Sequence, residues 1–282
     1  MYRPKRSPTR RRRYFMPQMA SLLLPGFDQW WEAQYSWAGF YTGTTVGSAV
    51  IGASLFNSSL NDPNGSDSER IKQSLGGVAF NMLPLMGGLS LHHSFRTAVW
   101  TQQQNDRFMF LKSEESPWDL MRAPLEFQHL SKWTTIIPLA AAATLIGAIA
   151  LTSDTDLYKG TGDEVLFGMS ASYTAGTHEE MIFRGWLLPI FYHNFDNFFW
   201  ANTLSSTIFA LAHYPKVKFP IVQAGLGYYF AWLTRKRNWT LSESIFIHTW
   251  YDVILITATL SIANARGTAL PTFQVPIIST RF

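Results

Sequence analysis

Apolar residues gather in seven stretches along the chain, at about 38–56, 74–91, 133–152, 164–192, 197–213, 218–234 and 241–263. Each is close to the roughly 20 residues that an α-helix needs to cross hydrocarbon. The pattern predicts an all-α fold, a polytopic transmembrane helical bundle of about seven spans. Trp133 to Thr152 is the plainest of the seven, whereas the first two are rich in Gly, Ser and Thr, which suits close helix packing or a partly re-entrant path. Before the third stretch, Ser116-Pro117-Trp118-Asp119 reads as a helix start, with Ser as the cap and Pro in the first turn. Met121, Leu125 and Phe127 then fall on one apolar face, so the segment predicts a short amphipathic helix lying along the membrane surface.

The polar stretches orient this bundle. Arg3, Lys5, Arg6 and Arg10 to Arg13 form a basic N-terminal arm. Such an arm can bind nucleic acid, but beside an apolar run it marks a cytoplasmic flank that contacts anionic lipid, so no nucleic-acid partner is expected. The run Met19 to Leu24 ends at Pro25-Gly26 with no small-residue cleavage pattern, and the arm is read as part of the mature chain. With seven alternating spans, one side holds the arm, the loop with Arg96, Arg107, Lys112, Arg122 and Lys132, and the Arg235-Lys236-Arg237 turn. The positive-inside rule makes that side cytoplasmic. Asp154, Asp156 and Asp163 fall opposite, and Lys216 and Lys218 break the pattern. Most of Trp30, Trp31, Trp37, Trp100, Trp133, Trp200, Trp232 and Trp239 lie at segment ends, as an interfacial belt would. His92, His93 and His129 read as interfacial or loop residues, and His178 and His193 flank the fourth stretch.

Composition narrows the chemistry. Only 15% of residues are charged against 47% hydrophobic, which fits a bilayer setting, and there is no cysteine, which excludes disulfides, thiolate nucleophiles and Cys-ligated zinc. Against that background Glu179-Glu180-Met181-Ile182-Phe183-Arg184 stands out. A charge near the middle of a membrane helix costs on the order of 2.5 to 3.5 kcal/mol, so such residues face a partner or a water-filled site. Glu180 and Arg184 are four residues apart and share a helix face on which they can pair. Glu179 stands outside that pair, and a carboxylate in a low-dielectric cavity is suited to take a proton from water and return it. In the fifth stretch Phe209 precedes His213 by one helical turn, and in the last His248 precedes Asp252 by one turn. Taken singly, these are core packing and an internal hydrogen bond.

Taken together, Glu-Glu-x-x-x-Arg, Phe-x-x-x-His and His-x-x-x-Asp, in this order and on separate apolar stretches, resemble the intramembrane endopeptidase family that includes the type II CAAX prenyl protease and the bacterial CPBP or Abi proteins. The resemblance covers about Trp133 to Ala263. It implies an endopeptidase core over 133–263, preceded by an arm and membrane-entry turn over 1–37 and by a hairpin and cytoplasmic loop over 38–132, with a tail over 264–282. It further implies an integral protein of the bacterial inner membrane whose N-terminus is cytoplasmic and whose partners are the bilayer and a protein or peptide substrate.

By the same resemblance Glu179 activates the attacking water with help from His213, while His248 and the residue at 252 stabilise the oxyanion. Glu180, Arg184 and Phe209 support them. The prenyl protease carries Asn where this chain has Asp252; an amide donates to an oxyanion, whereas Asp252 donates only when protonated, and otherwise orients His248. Glu179, His213 and His248 would also make a catalytic zinc set, and the family has been described both as metalloproteases and as metal-independent glutamate proteases. The metal-free mechanism, requiring no cofactor, is the one expected here. Two other readings of the buried charges remain, a silent scaffold or immunity-type membrane protein and a transporter with a proton relay. Ideal geometry raises one conflict: His213 falls roughly 25 Å along its helix and His248 about 10 Å into its own, unless the fifth helix is tilted or sunken, with Pro215 and Pro220 breaking the backbone.

Overall fold

The computed structural model describes residues 15–59, 67–102, 108–112, 115–153, 161–214 and 220–265. The basic arm, Arg107, the Asp154 and Asp156 loop with Lys159, Pro215, Lys216, Lys218 and the tail from residue 266 lie outside the described residues. Every regular element among those described is helical. The principal helices are α1 (Met16–Leu23), α2 (Phe27–Trp31), α3 (Tyr35–Ser59), α4 (Asp67–Gln102), α5 (Pro117–Arg122), α6 (Trp133–Ser153), α7 (Gly162–Ile182), α8 (Leu188–Phe195), α9 (Phe198–Ala212), α10 (Ile221–Lys236) and α11 (Ser242–Ala265). A π-helical turn, Phe183–Leu187, joins α7 to α8.

Each predicted apolar stretch coincides with one of these helices or, for 164–192, with the continuous α7, π turn and α8. Among the described residues one helix, Asp67–Trp100, is long and apolar enough to cross a membrane, and Trp133–Ala148 and Phe198–Ala212 are shorter apolar helices. The α5 cap forms as its sequence suggests. The Ser116 hydroxyl donates to Asp119 Oδ2 at 2.8 Å, and the Asp119 N–H donates back to Ser116 Oγ at 3.2 Å. The helix is only six residues long, and two 3-10 turns, Ala123–Leu125 and Phe127–Ser131, continue it. Leu125 and Phe127 are exposed, so their apolar faces point outward rather than into the core.

The chain divides into two compact units. The first comprises Met1–Gly43, Met86–Met121 and His178–Ser244. Its core is built from Leu91, Phe95 and Val99 of α4, Trp186, Leu188 and Ile190, Ala201 of α9, Ala231 of α10 and Trp239. The α1–α2 hairpin is fastened to α4 by buried polar contacts. The Ser94 hydroxyl donates to Asp28 Oδ2 at 2.7 Å, the Gln29 amide donates to the Ser90 carbonyl at 3.0 Å, and the Gly26 N–H donates to Ser90 Oγ at 2.8 Å. Gly26 adopts φ +96°, in the left-handed region, and a Cβ there would lie 2.9 Å from the Ala38 carbonyl oxygen.

In the same unit the Glu115 carboxylate accepts the N–H groups of Leu241 at 2.8 Å and Ser242 at 3.1 Å, capping the start of α11. Burial pushes this carboxyl from the ordinary 4.5 up to about 7; Asp119 adds to the rise, while the two N–H groups and Arg96 oppose it. A carboxyl raised on folding supports the fold most at low pH. Stability is therefore expected to decline as pH rises from about 4.5 through about 7. Glu115→Gln should flatten that decline in melting temperatures taken from pH 4 to 8, and an unchanged slope would remove Glu115 as its source.

The second unit comprises Thr44–Leu85, Arg122–Thr177 and Ile245–Phe282. Within it Arg70 pairs with Asp163 at 3.2 Å, the Asn81 amide donates to Ser170 at 2.8 Å, and the Trp250 indole N–H donates to the Pro124 carbonyl at 2.9 Å. Gly176 of α7 lies directly against Thr249 of α11, a close approach that a Cβ would prevent.

Several histidines depart from expectation. His92 and His93 are neither interfacial nor in a loop but buried within α4, where the His93 ring meets the Tyr41 hydroxyl at 3.1 Å. His129 is likewise buried, in a 3-10 turn, between Glu126 and Lys132. The partner of His93 comes from α3, which local sequence does not reveal, whereas the partners of His129 are three residues away on either side. Among the tryptophans, Trp30, Trp31, Trp100, Trp133 and Trp200 are exposed at helix ends, whereas Trp239 is in the core.

Candidate active site

Glu179 and Glu180 occupy the last turn of α7, and Arg184 lies in the π turn that follows. Pro189 accounts for that turn: it has no N–H to give to the carbonyl four residues back, so the α ladder widens just before it. Glu180 and Arg184 pair through Oε1 and Nη1 at 2.8 Å, with both side chains fully shielded from solvent. The guanidinium lies over the Phe209 ring, its Cζ 4.2 Å from the centroid, and 5.4 Å from the Phe230 centroid. Among the described residues its Nε and Nη2 have no hydrogen-bond partner, so the aromatic faces supply the rest of its electrostatic environment.

His213 closes α9 at its C-terminus. Its Nδ1 lies 2.8 Å from the Phe209 carbonyl oxygen, and its ring packs edge-on to the Phe209 ring at 4.8 Å between centroids. A carbonyl can only accept, so this contact assigns the proton to Nδ1 and turns Nε2 outward. Nε2 faces Glu179 Oε2 at 3.8 Å. The Glu179 and His213 side chains are 13% and 28% exposed, with Glu179 Oε2 itself shielded, whereas the Glu180–Arg184 pair beside them is shielded throughout.

The path of the chain accounts for the level placement of Glu179 and His213. Helices α8 and α9 are joined by Asp196, whose φ of +46° ends α8, and by Asn197, whose side chain caps α9. Glu179 lies 16 residues before Phe195 and His213 lies 15 residues after Phe198. At 1.5 Å per residue both are about 23 Å from the connecting turn, and two antiparallel arms bring them level.

His248 and Asp252 both lie on α11, with Nε2 and Oδ2 3.6 Å apart, and the His248 ring is buried while Asp252 is partly exposed. This is longer than a hydrogen bond, so the carboxylate reaches the ring as a nearby charge. Among the described residues no group of three or more His, Asp or Glu side chains is arranged to hold a metal ion.

Some supporting residues went unmarked in the sequence. Asn202, Ser205 and Ser206 line the face of α9 that carries Phe209. The Ser205 hydroxyl donates to the Phe183 carbonyl at 2.8 Å, within the π turn, and the Asn202 amide donates to the Tyr228 carbonyl of α10 at 3.2 Å. The signal was present as polar residues spaced three and four apart in an apolar run, continuing to His213.

No curated protein and no solved structure matches the chain. Residues 161–254, which include all three motifs, match the family model described as Type II CAAX prenyl endopeptidase Rce1-like, the family the motifs resemble.

Proposed function

We propose that the protein is an intramembrane endopeptidase that hydrolyses a peptide bond with a water activated by Glu179. The observation that carries this reading is the Glu179–His213 pair, its side chains partly exposed and its facing atoms 3.8 Å apart, beside a fully shielded ion pair. One water bonded to both groups at about 2.8 Å would subtend an angle of about 85°, a geometry its lone pairs and protons tolerate. Glu179 takes the proton as the water oxygen attacks the carbonyl carbon, and returns it to the departing amine. His213 holds the water through Nε2, which its Nδ1 bond to the Phe209 carbonyl leaves facing Glu179.

His248 takes the oxyanion role that the family resemblance implies, and Asp252, one turn on along α11 and 3.6 Å from the ring, orients it. The match to a family of prenyl endopeptidases and the apolar helix Asp67–Trp100 support a membrane setting and a protein or peptide substrate; about seven spans with the basic side cytoplasmic belong to the same reading. The mechanism uses no metal step.

The test uses full-length protein reconstituted in lipid vesicles with a membrane-anchored peptide. Cleavage is expected, at a rate unchanged after exhaustive chelation, with no ion flux. Stoichiometric zinc lost together with activity would overturn the metal-free mechanism, and flux without cleavage would favour a transporter.

A further inference from the structure

We infer that Gly227 and Phe230 of α10 are positioning residues for the hydrolytic pair, acting through the Arg184 guanidinium and the Phe209 ring. The inference rests on the reading of Glu179 and His213 given above.

The contacts run in one chain within a single compact unit. A Cβ built on Gly227 would lie 3.1 Å from Arg184 Nη2, 3.1 Å from Phe209 Cδ1 and 3.2 Å from Ser206 Cβ. Neither neighbour has room to retreat, because Arg184 and Phe209 are 1% and 2% exposed. Gly227 therefore allows α10 to close directly over the stacked guanidinium and ring. Phe230, one turn on and fully buried, places its ring centroid 5.4 Å from the guanidinium Cζ.

What α10 fixes at Phe209 is passed to His213 by two routes. The Phe209 carbonyl holds the Nδ1 proton, and the Phe209 ring sets the plane of the imidazole. Displacing the ring by a few tenths of an ångström tilts Nε2 relative to Glu179. What α10 fixes at Arg184 is passed to Glu180, the residue next to Glu179 in the chain. Both members of the pair are thus held by one residue that has no side chain and by one ring on a helix that contributes no chemistry of its own.

Gly225 supplies the control. It lies two residues away on the same helix, and a Cβ there meets nothing within 4 Å. Gly→Leu at either position changes helix propensity alike. Only the substitution at 227 enters the stack.

The experiment records 15N spectra of histidine-labelled, full-length protein, with the His213 signals assigned by loss in His213→Gln, alongside peptide hydrolysis. In Gly227→Leu the His213 ring nitrogens are expected to shift away from the Nδ1-protonated pattern. The kcat is expected to fall about 10-fold or more with little change in KM. Gly225→Leu should match the wild type in both. If Gly227→Leu does not fold, Gly227→Ala is read at the same signals, with a smaller shift in the same direction expected.

Folded Gly227 variants with unaltered His213 signals would overturn the inference, as would an equal change in Gly225→Leu. The spectra are independent of turnover. A protein without hydrolytic activity but with shifted His213 signals in Gly227→Leu would therefore defeat the proposed function while sustaining the packing chain.

Discussion

Glu179→Gln should lower peptide hydrolysis by about 10² to 10⁴-fold while leaving the fold intact. Gln keeps the size of the side chain and an acceptor oxygen but cannot take a proton from water, and general-base assistance is worth that range. The fold should tolerate the change because the Glu179 side chain is partly exposed and stands outside the Glu180–Arg184 ion pair. Melting temperature and helicity of the purified variant check the second half of the expectation. A variant that stays folded and retains more than about a tenth of wild-type turnover would remove Glu179 from the chemistry.

The largest effect on stability is expected at the ion pair. Arg184→Met leaves the Glu180 carboxylate in a fully shielded position without its cation, and breaking a buried pair in this way typically costs about 3–5 kcal/mol. The variant also loses the guanidinium stack on Phe209. Replacing both partners, Glu180→Leu with Arg184→Met, removes the uncompensated charge and should recover most of the loss. Denaturant unfolding in detergent micelles of the two single variants and the double variant closes the cycle. Losses that simply add would mean that the pair does not act as a unit. The double variant should nevertheless hydrolyse peptide poorly, since the Phe209 ring then loses the cation that fixes it against His213.

Much of this architecture was legible in the sequence because long apolar runs are the strongest local signal a chain carries. The stretch at 133–152 became α6, Trp133–Ser153, and the stretch at 241–263 became α11, Ser242–Ala265. The Ser116 cap was readable because Ser followed directly by Pro marks the first turn of a helix, and the Ser116–Asp119 bonds form there. The Glu180–Arg184 contact was readable from its spacing of four.

Other features depend on what a residue meets far along the chain. His92 and His93 looked interfacial because an imidazole inside an apolar helix needs a partner, and the Tyr41 hydroxyl that His93 meets comes from a helix 52 residues away in sequence. The π turn at Phe183–Leu187 was signalled by Pro189, yet a proline near a helix end is more often just a boundary. The place of His213 relative to Glu179 was legible only along the path of the chain. Counted from the Asp196–Asn197 turn, it falls level with Glu179. Gly227 carried no signal at all, because the absence of a side chain matters only once the Arg184 guanidinium and the Phe209 ring are known to lie against it.

The central claim is that Glu179 makes this chain a peptidase. The most direct measurement compares peptide termini in membranes of cells producing the wild-type protein with those producing Glu179→Ala at equal levels. New termini found only with the wild type, at membrane-proximal positions, are the predicted result, and they would also name the substrate and the bond. Identical sets of termini, from two proteins equally abundant and equally folded, would contradict the account and leave a scaffold that keeps the motifs without the chemistry.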